Sequence, residues 1–179
     1  MIRTKSARHA ITIATAQGWD KSGDDLDVAV DSGSKGCNEG QILHGLDCGR
    51  VLSVVDSQRP EVTSWLYLAY GAPGWSSDRM AMACAVALCR LCNAPKSSRD
   101  RLERVAYIAL DDMRRRVSGR SGFVPATYQQ GAQIPRQNWR WWESKVEAMQ
   151  SQIDRWDRAG LGAVSEMLHE WREARKEAS

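Results

Sequence analysis

Six apolar residues, Trp139, Trp142, Val146, Met149, Ile153 and Trp156, stand 3, 4, 3, 4 and 3 positions apart. Only a helix gathers such spacing on one side, because a strand would scatter these side chains over both faces. The chain therefore carries a long amphipathic helix, and the rest must be able to pack against it. Gly160 and Gly162 interrupt the pattern, and Leu161, Val164, Leu168 and Trp171 resume it one residue out of phase. That predicts a kink or a break within a final helix spanning 135–178.

Shorter helical periods come before it. Ile42, Leu46, Leu52 and Val55 predict one helix, and Val62, Leu66, Ala69 and Tyr70 a second after the Arg59-Pro60 break. A third helix begins at Ser76 or Ser77 and runs through Met80, Cys84, Leu88 and Leu91 towards Pro95; a fourth, from Ser97 or Ser98 to Gly119, carries Leu102, Val105, Ala109, Met113 and Val117 on one face. Residues 119–135 are broken by glycine and proline and leave room for one short helix over 125–132. No run alternates apolar and polar residues for more than a few positions, so the fold class is all-α.

The first forty residues predict a flexible arm. The run from Lys21 to Gly40 is rich in Gly, Ser and Asp, with too few large apolar side chains to build a core. Residues 1–40 are thus read as an arm and 41–179 as one compact multi-helix domain. Trp19 is the arm's candidate for docking on a partner.

Charge is distributed unevenly. Residues 1–96 hold ten basic and ten acidic side chains, residues 97–145 ten basic and five acidic, and the remainder five basic and seven acidic. A basic middle is what a nucleic-acid footprint would produce, and equally what solvated arginine-rich helices produce. No apolar run approaches the ~20 residues that span a bilayer. Arg8, His9, Thr12 and Thr15 interrupt any secretory h-region, so a cytoplasmic location is expected.

Catalytic and metal chemistry find little support. His9, His44 and His169 are scattered, with no nucleophile or carboxylate set at a recognisable spacing, and no glycine-rich phosphate loop is present. Cys37, His44, Cys48, Cys89 and Cys92 offer zinc-ligand chemistry but at poor spacing, so buried thiols are the expectation and no metal or cofactor is assigned.

A more specific signal runs from Phe123 to Trp142. A short helix, a tight connection through Gln133, Ile134 and Pro135, and a second helix opening Arg-Gln-Asn-Trp-Arg have the size of a helix-turn-helix within residues 119–145. In that motif the second helix inserts its N-terminal residues into the major groove. Here these are Arg136, Gln137, Asn138 and Arg140: arginine reads guanine O6 and N7, and Asn or Gln reads adenine N6 and N7. Arg114, Arg115, Arg116 and Arg120 would neutralise phosphates alongside. Trp139 would pack inward, and Trp141 is the indole expected to face a partner. The motif usually has a small residue in the middle of its first helix and glycine at the turn, where this chain has Gln129 and Gln133. An ordinary two-helix corner with a solvated basic edge is the competing reading.

The stretch from Val124 to Trp142, followed by Val146, Met149, Ile153, Trp156-Asp157 and Ala159-Gly160-Leu161, resembles the C-terminal part of small bacteriophage regulators, the late-gene antiterminators of the Q type. The segment Arg104–Arg120, a helix ending in a basic run, is similar to that group too. The resemblance covers roughly the last 80 residues. It implies a non-catalytic protein of the bacterial host cytoplasm that binds double-stranded DNA near a phage late promoter, joins bacterial RNA polymerase and carries it through terminators. The residues alone also accommodate a helix-turn-helix repressor or activator, a homodimer paired through the heptad seam, and a helical assembly protein that binds no DNA.

Overall fold

The computed structural model describes residues 6–19, 38–72 and 77–177, with the backbone alone at 17–19, 38–44, 77 and 175. Every regular element among them is helical: α1 (Ala7–Trp19), α2 (Asn38–Asp56), α3 (Pro60–Tyr70), α4 (Ser77–Leu91), α5 (Arg99–Val117), α6 (Pro125–Gly131) and α7 (Trp139–Glu177). Single 3₁₀ turns, Lys96–Ser98 and Arg136–Asn138, lead into α5 and α7. The all-α expectation holds, and among these residues no helix is long and apolar enough to cross a membrane.

The core is arranged around α3. Its consecutive residues Trp65, Leu66, Tyr67 and Leu68 are all buried. A helix apolar on every side belongs in the middle of a bundle, and α3 touches α1, α2, α4, α5 and α7. Burying Trp65 and Leu66 completely contributes about 1.5–3 kcal/mol each. Pro60 starts the helix at a position where its missing N–H has no partner to lose.

At 1.5 Å per residue, the 39 residues of α7 extend about 58 Å. The seam read from the sequence is internal: Trp142, Val146, Met149, Ile153 and Trp156 are all buried against the chain's own helices. Pairing of two copies through this seam is thereby excluded. The break expected at Gly160 is absent, because α7 continues without interruption. Gly160 itself lies on the buried line, between Trp156 and Val164, and a Cβ there would come within 2.5 Å of Leu66 Cδ1. The glycine admits α3, and the apparent phase shift is a seam that widens from steps of three and four to steps of four.

The N-terminal boundary also differs from expectation. The segment read as the first half of an arm contains α1, with Ala7, Ala10, Ile11, Ala14 and Thr15 buried in the core. Two threonines fasten it. Thr12 Oγ1 donates to the Tyr70 carbonyl at 2.9 Å, and Thr15 Oγ1 accepts the Ala72 N–H at 2.9 Å. These are the backbone groups that the end of α3 leaves without a helical partner. Residues 20–37, where the arm reading also falls, lie outside the described residues.

Candidate nucleic-acid interface

The corner of α6 and α7 is fixed at each step by local chemistry. Pro125 occupies the first turn of α6, and Phe123, just ahead of the helix, packs edge-on against Tyr128 with ring centroids 6.4 Å apart. This is a hydrophobic staple, which sets the angle at which the chain enters. The C-terminal end closes with Ile134 N–H bonded to the Gln129 carbonyl at 2.8 Å and Gln133 N–H to the Gln130 carbonyl at 3.3 Å. That pair of bonds requires a left-handed residue, and Gln133 supplies it with φ 54°. The turn thus has the conformation that glycine usually provides. Ala132 and Ile134 are buried beneath it.

Beyond the turn, the four residues expected to read bases are all exposed, but three of them are not on α7. Arg136, Gln137 and Asn138 form the 3₁₀ turn that precedes it, and only Arg140 lies on the α-helix. The anchoring role is likewise shared. Trp139 is half-buried, its ring 6.1 Å from Tyr128 and its indole N–H donated to Glu143 Oε1 at 3.2 Å, while Trp142 is the fully packed indole. Trp141, which falls outside the seam, is 43% exposed, with the Lys145 ammonium 4.5 Å from its ring centroid. Trp19 belongs to α1, but its side chain lies outside the described residues.

The residue that holds the corner to the body went unnoticed in the sequence. Asp112, fully buried on α5, accepts the Phe123 N–H at 2.6 Å, the Tyr128 hydroxyl at 2.7 Å, the Gln150 amide at 2.8 Å and the Arg116 guanidinium at 3.0 Å. One carboxylate thereby joins α5, the loop after it, α6 and α7. Burial pushes this carboxyl up, but the donors outweigh it and hold the group below the usual carboxylate range. Burial, then the hydrogen bond to Asp112, pushes the Tyr128 phenol far up. Asp157 does the same work further along α7, accepting Trp65 Nε1 at 2.9 Å and the Tyr70 hydroxyl at 2.6 Å, with Arg8 at 3.6 Å.

This network reassigns two of the four arginines at the end of α5. Arg116 is bound to Asp112, and Arg115 lies over the Phe123 ring at 5.0 Å and donates to the Ser121 carbonyl. Both hold the loop that leads into α6. Arg114 and Arg120 remain exposed, with no side-chain bond to another described residue. The Asp112–Gln150 bond sets Asp112 level with residue 150, ten residues along α7 from Arg140 and so on the order of 15 Å away along the axis.

Among the described residues no group of three or more His, Cys, Asp or Glu is placed to hold a metal ion. Burial raises the thiols of Cys48, Cys84, Cys89 and Cys92, that of Cys84 to about 12 and that of Cys89 to about 11. They pack as small apolar side chains. Cys37 and the His44 side chain lie outside the described residues. No family model, curated protein or solved structure matches the chain.

Proposed function

We propose that the chain is a transcription regulator that binds double-stranded DNA through the α6–turn–α7 corner and acts on RNA polymerase as an antiterminator of the Q type. The observation that carries the DNA-binding part is the left-handed Gln133. It closes α6 with the tight left-handed turn that a helix-turn-helix needs and leaves Arg136, Gln137, Asn138 and Arg140 exposed together where a long helix begins. The N-terminal end of α7 adds a partial positive charge suited to phosphate, and exposed Arg114 and Arg120 supply further cations. Arg136 and Arg140 have the chemistry to read guanine, Gln137 and Asn138 to read adenine.

The polymerase-directed part rests on the resemblance of residues 104–161 to phage antiterminators. In that reading exposed Trp141, beside Lys145, is the indole available to a protein partner. Transcription of a template carrying a promoter, a bound site selected from random duplexes and a downstream terminator tests both parts. Read-through that rises with added protein is the expected result. Binding without read-through would leave a repressor or activator, and the absence of any selected duplex would remove the DNA-binding reading.

A further inference from the structure

Of the seven large apolar side chains that stand exposed among the described residues, Met82 and Val86 lie one turn apart on α4 and Tyr107 on the adjoining α5, with Leu91 about half a turn round α4 from Met82. Exposed apolar residues scattered singly are ordinary, whereas a cluster marks a contact surface.

The order of residues along α4 indicates what it meets. Asp78, Met82, Val86 and Arg90 are four positions apart and all exposed, so they form one ridge: negative at its start, apolar in the middle and positive at its end. Laid antiparallel against a second copy of itself, this ridge is self-complementary. Asp78 faces Arg90 of the second copy, Met82 faces its Val86, and each pairing occurs twice, as a two-fold contact demands. Neither Asp78 nor Arg90 makes an ion pair with another described residue. Ridges of this four-residue spacing interlock in the commonest class of helix packing. Val86 and Arg90 also line a 570 Å³ cleft together with Leu91 and Leu102, room for a flexible methionine from the facing helix.

We propose that this face of α4 is a two-fold interface between two copies of the chain, centred between Met82 and Val86 and closed at both ends by an Asp78–Arg90 pair. The contact is independent of DNA, so it is read without DNA and its failure leaves the DNA-binding reading untouched. The test is sedimentation equilibrium of the full chain over roughly 1–100 µM. A reversible dimer is expected. Asp78→Arg and Arg90→Asp each place like charges opposite one another and weaken it at least about tenfold, while the two together restore it to within about threefold. Val86→Glu abolishes it, with helix content unchanged by circular dichroism because all the altered positions are exposed. A wild type that stays monomeric throughout, or a dimer that the single exchanges do not weaken or the double exchange does not rescue, overturns the proposal.

Discussion

Asp112 sits where an apolar residue would be expected, between Ala109 and Met113 on the face of α5 that meets the core, and four donors compensate its burial. Asp112→Ala removes their acceptor and should lower stability by about 3–5 kcal/mol, measured by urea unfolding. Because donors hold its folded pKa below the ordinary value of about 3.9, its contribution is complete above that value and is lost as pH falls through the folded pKa. The stability gap between wild type and Asp112→Asn should therefore be flat from neutral pH down to about 4 and narrow below it. A gap unchanged in stronger acid would contradict this. Gln133 carries a strain of another kind. A non-glycine left-handed residue costs about 1 kcal/mol, so Gln133→Gly should stabilise by about 0.5–1 kcal/mol and Gln133→Ala should not. Asp112 was legible only in part: a carboxylate on an apolar stripe signals a buried polar hub, but its partners at Phe123, Tyr128 and Gln150 are set by tertiary packing.

Helices with large apolar side chains were legible in the sequence, and α7 most of all, since six seam residues fix its face. What the pattern could not supply was the reason for a gap in it. Gly160 reads as a breaker until Leu66 is seen in the space its side chain would fill. Two substitutions separate packing from propensity. Gly160→Ala gains about 1 kcal/mol of helix propensity but forces a methyl onto fully buried Leu66, and should destabilise by about 1–2 kcal/mol net. Gly162→Ala meets nothing within 4 Å and should stabilise by up to about 1 kcal/mol. Thermal melts of the pair read the difference in sign. α1 escaped notice for the opposite reason, since its buried stripe of Ala7, Ala10, Ile11 and Ala14 has helical spacing but weak hydropathy. Its docking depends on Thr12 and Thr15 meeting the end of α3, contacts far apart in sequence. The turn at Gln133 lacks the glycine that marks such turns and is recognisable only by its backbone.

At the scale of the whole molecule, α7 runs from the exposed corner into the core. It packs on α1, α2, α3 and α5, while exposed basic and amide side chains stand around its start. Because the seam is internal, partners are assigned to the basic corner, Trp141 and the ridge of α4. The basic middle of the sequence becomes two groups, Arg136 and Arg140 around the start of α7 and Arg114 and Arg120 around the end of α5. These groups should act differently on DNA. Arg114→Ala and Arg120→Ala should weaken binding to every duplex alike and lower the salt slope by about one each. Arg136→Ala and Arg140→Ala should each remove about 1–3 kcal/mol from the preferred site and relax its sequence preference. The measurement that tests the central claim most directly is fluorescence anisotropy of a selected duplex, titrated with wild type and the Arg136→Ala/Arg140→Ala pair across a series of salt concentrations. The account predicts tight wild-type binding that weakens linearly with the logarithm of salt, and a variant that keeps its fold while losing discrimination between selected and random duplexes. A wild type that binds no duplex, or a variant that still discriminates, would contradict it.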